Sequence, residues 1–161
     1  IIIAIQIYFI RLISPMHSTN LSQPKWMLVL LWVCFGITFY QMFLGTQVRE
    51  SIDELTKMGY GREAWTDKLG MPFYIHRSFS WLVLVLIVFI AWKNEQAQKL
   101  RPIRAVFIIL CLELLSGVLL AYADMPGLVQ TSHLIFATIL FGILTMLVFR
   151  SRTATHVTLK V

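Results

Sequence analysis

Residues 133–150, HLIFATILFGILTMLVFR, form an apolar stretch that opens on a histidine and closes on an arginine. Residues 76–93, HRSFSWLVLVLIVFIAWK, repeat this arrangement, and in both stretches the cation is the seventeenth residue after the histidine. At about 1.5 Å per helical residue, each stretch reaches about 25 Å, close to the thickness of the hydrocarbon core of a membrane. If both helices cross a membrane in the same direction, His76 and His133 lie at the same depth.

The composition indicates an integral membrane protein. Of the 161 residues, 58% are hydrophobic and 14% are charged, whereas a soluble domain averages roughly 45–50% apolar and about 25% charged residues. The net charge of +6 does not indicate a nucleic-acid partner. Its cations cluster at the ends of apolar runs, where they determine topology.

Four apolar runs have about the 20 residues that a membrane-spanning helix requires. They cover residues 26–46, 72–92, 103–122 and 128–149. The sequence therefore predicts an all-α, polytopic membrane protein with a four-helix transmembrane bundle over residues 26–150.

The flanking segments are assigned by length and charge. Residues 1–13 are apolar but too few to cross a membrane, so we interpret them as the tail of a truncated preceding span. Residues 14–25 are predicted to be a cytoplasmic linker, and residues 151–161 a cytoplasmic tail.

Loop charges predict the orientation, because short segments rich in Lys and Arg remain in the cytoplasm. Residues 93–104 contain four cations and one anion, whereas residues 47–71 contain four cations and five anions. This predicts a multi-pass protein of the cell (inner) membrane with both histidines near the outer face. Within the outer loop, Ile52, Leu55 and Met58 recur every three residues, which favours a short helix on the membrane surface.

A short repeat relates the two helix pairs. In each pair, a span has a glycine near its outer end (Gly45, Gly117), a loop ends in Met-Pro, and the next helix has a histidine near its start. The repeat supports the equal depth of the two histidines.

Two level histidines inside a membrane suit a haem iron, which binds one ligand on each side, whereas zinc requires three or four ligands. The metal-ligand candidates are therefore His76 and His133. Ser80 and Ala137 each follow a histidine by four positions, on the same helical face, and would leave room for a flat macrocycle.

Other polar residues have candidate roles in the same region. Arg77, Arg49 and Gln47 could hold haem propionates at the outer rim, with Gln130 and Thr131 as weaker candidates. For Arg77 the alternative is simple snorkelling to the headgroups.

Two polar residues and two thiols lie within the apolar runs. Glu113, in mid-span, is either a proton relay or a hydrogen bond between helices, and Gln41 is interpreted as a hydrogen bond between helices. Cys34 and Cys111 are expected to be buried free thiols.

Three stretches resemble the haem A synthase family. They are LGTQVRESID (44–53), FYIHRSFSWLV (73–83) and MPGLVQTSHLIFATILFG (125–142). The resemblance covers nearly the whole chain and corresponds to the carboxy-terminal four-helix half of that family.

The resemblance implies an oxidoreductase of eight spans in two pseudo-symmetric halves. That family oxidises a methyl group of haem O to the formyl group of haem A for terminal oxidases. One half processes the substrate, while the carboxy-terminal half holds a haem b for electron transfer. By position, His76 and His133 would be its axial ligands, with no catalytic residue in this half. The implied partners are membrane lipid, the amino-terminal half of the same enzyme, haem O synthase and an electron donor.

Two departures qualify the resemblance. The substrate half of the family has a glutamate three positions before its first histidine, where this chain has Phe73, so the oxidation is not expected here. Some members have a cysteine pair in the outer loop, and residues 47–71 contain none. Two other functions stay open: a bis-histidine membrane cytochrome b that takes electrons from a quinol pool, and a scaffold with structural histidines.

Overall fold

The computed structural model describes residues 24–96 and 100–158, which are helical apart from short connections and contain no strand. The helices are α1 (Lys25–Lys57), α2 (Trp65–Lys68), α3 (Met71–Gln96), α4 (Arg101–Tyr122) and α5 (Gly127–Thr158), with a 3-10 turn at Arg62–Ala64. Four of them, α1, α3, α4 and α5, are long and apolar enough to cross a membrane. The predicted all-α, four-span fold is confirmed. The proposed truncated span and most of the linker lie outside the described residues.

The first long helix differs from the prediction at its end. It continues 11 residues past the expected boundary at Thr46, to Lys57. The prediction of a short surface helix that includes Ile52, Leu55 and Met58 is therefore wrong, because Ile52 and Leu55 belong to the continuation of α1. Residues 47–57 contain neither glycine nor proline to interrupt the helix. The chain turns only at Gly59, whose φ of +84° suits a residue without a Cβ atom.

The long helices form an up-and-down bundle. Both α1 and α4 pack against α3 and α5, which closes a ring of four helices. Pro72 and Pro102 lie in the first turns of α3 and α4, where a missing N–H costs nothing. With this topology, the starts of α1 and α4 lie at the same end as the last turns of α3 and α5.

That end contains a continuous apolar core, which we call the packed half. Its members are buried side chains from all four long helices: Met27, Leu31, Cys34, Val83, Ile87, Ile90, Ile103, Val106, Leu110, Leu140, Leu144, Leu147 and Val148. Cys34 is buried as predicted, but Cys111 is exposed on the side of α4, so its predicted burial is wrong. The exposed face of the bundle is apolar, as at Trp81 and Leu128, and suits contact with lipid.

The opposite end contains both histidines, and we call it the histidine half. Beyond the histidines lies a second, smaller apolar cluster, the cap, formed by Ile52, Trp65, Leu69 and Met125. The extension of α1 contributes to the fold, because Ile52 lies in this extension and is buried in the cap. The histidines lie between two apolar layers.

Candidate functional site

The structure brings the two predicted ligands together. His76 lies in the second turn of α3 and His133 in the second turn of α5, with ring centroids 6.4 Å apart and planes at 78°. Two imidazoles on opposite sides of one metal ion, with metal–nitrogen bonds of about 2 Å, have centroids roughly 6 Å apart. The separation suits a shared iron, and the ligand role stays a prediction.

Hydrogen bonds from α4 hold the His133 ring. Its Nδ1 lies 2.8 Å from Ser116 Oγ and 3.1 Å from the backbone oxygen of Glu113. The Ser116 hydroxyl donates to that same backbone oxygen at 2.8 Å. Because this donation uses the hydroxyl hydrogen, Oγ is left to accept from an Nδ1–H group. The arrangement fits the tautomer with its proton on Nδ1, so that Nε2, the nitrogen that would bind a metal, carries no proton.

The Glu113 carboxyl group faces the other ring nitrogen. Its Oε1 lies 3.2 Å from His133 Nε2, and both side chains are largely buried. Sequence alone suggested no partner for Glu113. The partner is one of the two proposed ligands.

The ring of His76 has a different environment. Its Nδ1 is buried and has no hydrogen-bond partner among the described residues. The nearby polar groups bind the backbone instead: the His76 carbonyl accepts from Gln41 Nε2 at 3.0 Å and from Ser80 Oγ at 2.9 Å. Gln41 Nε2 also lies 2.8 Å from Ser80 Oγ, which confirms its interpretation as a hydrogen bond between helices.

The glycines of the repeat face the histidines. A Cβ atom added at Gly45 would lie 3.8 Å from His76 Cε1, and one added at Gly117 would lie 3.4 Å from His133 Cε1. Because glycine has no Cβ atom, the helix backbone can approach each histidine ring closely. Gln41 precedes Gly45 by four positions, as Glu113 precedes Gly117.

Four buried side-chain polar atoms lack a hydrogen-bond partner within the described part of the chain: Thr38 Oγ1, Gln41 Oε1, His76 Nδ1 and Glu113 Oε2. All four lie beyond the packed half, on the side of the histidines. Buried polar atoms are nearly always paired in proteins, so this concentration calls for an explanation. Together with the ring separation and the two glycines, it fits a group bound between the histidines.

The rim residues lie at the same end of the bundle but have partners in the protein. Arg77 donates to the Tyr122 hydroxyl at 3.0 Å, with its guanidinium 5.9 Å from the ring centroid. Arg49 donates to Gln130 Oε1 at 2.6 Å and forms an ion pair with Asp53 at 2.9 Å.

The remaining rim candidates make local contacts. The Gln47 backbone oxygen accepts from Ser51, and Thr131 donates to the Gly127 oxygen. Neither contact links the side chain to the histidines.

Sequence reasoning missed Ser116 and Tyr122. Alignment of the two helix pairs on Gly45 and Gly117 could have identified Ser116, because it places Glu113 and Ser116 opposite the His133 ring, as Gln41 lies opposite His76. For Tyr122 the sequence carries no comparable signal.

The fold and site define a class of membrane helix bundles in which two helices present facing histidines at one level. The sequence profile of the cytochrome oxidase assembly proteins matches residues 1–145, and the chain belongs to that family. The resemblance to haem A synthases is thereby confirmed. The family acts in haem A synthesis, a haem-dependent oxidoreductase function. No curated protein and no solved structure matches the chain.

Proposed function

We propose that this bundle is the haem b-binding half of a haem A synthase. It supports oxidation of the haem O methyl group to the formyl group of haem A, for terminal oxidase assembly. The observation that carries the proposal is the pair of imidazoles 6.4 Å apart on separate helices, in a region rich in unpaired polar atoms.

Each residue of the site has a task in this proposal. His76 and His133 are the axial ligands of the iron, and Gly45 and Gly117 keep space beside their rings. When bound, the haem supplies one-electron transfer, and the protein sets its potential through ligands, hydrogen bonds and burial.

The rim cations are proposed to bind the propionates. Arg77 and Arg49 lie at the histidine end of the bundle. Arg77 is oriented by Tyr122, and Arg49 by Gln130 and by its ion pair with Asp53. These hydrogen bonds reduce the rotamer freedom that either arginine would lose on binding a carboxylate. Both cations would then contact the haem at its edge.

The oxidation itself is assigned to the amino-terminal half of the enzyme. Phe73, in the position of the family's glutamate, packs against the apolar cap and stacks edge-on with Tyr74. It offers no acid or base. The further partners proposed are membrane lipid, haem O synthase and an electron donor.

The proposed orientation places the histidines near the outer face of the cell membrane and the carboxy terminus in the cytoplasm. The acidic balance of residues 47–71 and the basic balance of residues 93–104 support it.

Extraction and identification of the haems from the full-length protein tests this function. Haem B together with haem O or haem A is expected. Haem B alone, with no haem A formed in cells, would instead support an electron-transferring cytochrome b. A folded protein with no haem would indicate a scaffold.

A further inference from the structure

We propose that the two histidines are unequal ligands: His133 is the permanent one, fixed by the positioning residue Ser116, and His76 is the one that exchanges with small molecules. The inference rests on the proposed haem binding. It concerns which of the two iron–histidine bonds opens.

The hydrogen bonds of His133 support a permanent bond. A metal-bound imidazole is held best when its second nitrogen donates to an acceptor, which fixes the tautomer and raises the basicity of the ligating nitrogen. His133 Nδ1 has two such acceptors, Ser116 Oγ at 2.8 Å and the Glu113 backbone oxygen at 3.1 Å. Both belong to α4, which packs along α5.

His76 has less of this support. Its Nδ1 is buried and makes no well-formed hydrogen bond in the described part of the chain, so its interaction with the Gln41 backbone is weaker than the contact of His133 with the Glu113 backbone. The Gln41 and Ser80 side chains donate to the His76 backbone carbonyl and not to its ring.

The internal repeat identifies the residue responsible for the difference. Ser116 precedes Gly117 as Leu44 precedes Gly45, and both side chains are buried. A hydroxyl on the His133 side is thus replaced by an aliphatic side chain on the His76 side. The single difference between Ser116 and Leu44 thus decides which histidine has a hydroxyl group beside its ring.

Ligand exchange in the haem-loaded full-length protein tests the asymmetry. In His76→Gly we expect haem to be retained through His133 and added imidazole to restore the six-coordinate spectrum. In His133→Gly we expect most of the haem to be lost. Carbon monoxide should bind slowly to the reduced wild type and fast to His76→Gly. Equal haem retention in the two variants, or loss from His76→Gly alone, would overturn the inference.

The role of Ser116 has its own readout. Ser116→Ala should raise the reduction potential, because a less basic imidazole stabilises ferric iron less, and speed haem dissociation by about tenfold. Ser116→Thr, which keeps the hydroxyl, should restore both values. Ser132→Ala is the matched control, since that hydroxyl donates to its own helix at Leu128. An unchanged potential in Ser116→Ala would contradict the positioning role.

The reciprocal variant is Leu44→Ser, which places a hydroxyl group on the His76 side and should slow the binding of carbon monoxide.

Failure of the inference is distinguishable from failure of the proposed function. A wild type without haem rejects both, whereas six-coordinate haem with two equivalent histidines rejects only the inequality.

Discussion

The packed half and the histidine half of this bundle are formed by the same four helices but differ in the side chains that line their interiors. In the packed half, side chains such as Leu144 and Ile87 are almost completely buried and interdigitate. In the histidine half the interior is lined by glycine, small residues and polar groups, four of whose atoms lack partners among the described residues. The fold is stabilised by apolar packing at one end and contains a polar layer at the other.

The difference has an energetic meaning. Each buried polar atom left unpaired costs about 1–3 kcal/mol of stability. Aliphatic side chains in the same positions would avoid this cost. The packed half and the cap formed by Ile52, Trp65, Leu69 and Met125 enclose that polar layer. We infer that their packing stabilises the bundle enough to tolerate the unpaired polar atoms, whose missing contacts the proposed haem would supply.

The largest expected effect is in the histidine half. His133→Ala and His76→Ala should each abolish the six-coordinate haem spectrum, because one axial ligand is gone. When prepared without haem, both variants should unfold within about 1 kcal/mol of the haem-free wild type, since neither ring is part of the apolar core. Absorption spectra and thermal unfolding in detergent measure the two properties. If either substitution abolished folding as well as the haem spectrum, the stability of the bundle would depend on the histidines. This result would contradict the division into two independent halves.

The second test fills the space beside one histidine. Gly117→Leu should reduce haem affinity by about 10-fold or more, because a side chain would occupy the wall at His133. The matched control is Gly36→Leu, where an added Cβ atom has no neighbour within 4 Å. Haem titration of both variants makes the comparison. Similar losses in the two would show that a bulkier helix, and not the site, was responsible.

The third test weakens the packed half. Leu144→Ala should lower the free energy of unfolding by about 1–3 kcal/mol through lost packing, while the spectrum of bound haem stays unchanged. Leu128→Ala, at a side chain 86% exposed, should change stability little. Chemical unfolding in mixed micelles measures the stability. A shifted haem spectrum in Leu144→Ala would show that the packed half shapes the site directly.

The smallest expected effect is at the rim. Arg77→Leu should weaken haem retention less than either histidine substitution, because it removes a contact at the edge and no bond to iron. Haem content after gel filtration measures the loss. An equal loss in Arg77→Leu, His76→Ala and His133→Ala would show that the rim charge contributes more than the ligand geometry suggests.

The sequence was sufficient to predict the four spans, because length and hydropathy alone decide which segments suit a membrane. It also indicated His76 and His133 as a pair, since ionisable residues inside spans are rare, and the structure brings their rings to 6.4 Å while their ligand role stays a prediction. It misled at Thr46, where no breaker residue ends the helix, and at Cys111, whose face of α4 depends on the packing of neighbours.

Other features depend on which helices become neighbours. The contact between Glu113 and His133, and the position of Ser116 beside the same ring, result from the packing of α4 on α5. Spacing within one helix does not reveal a partner on another.

The most direct test of the haem site is electron paramagnetic resonance of the purified, oxidised protein loaded with haem B. We expect one low-spin centre per chain with two imidazole ligands, which disappears in both His76→Ala and His133→Ala. A high-spin centre in the wild type, a ligand pair other than two imidazoles, or a signal that survives both substitutions would contradict a haem shared by the two histidines.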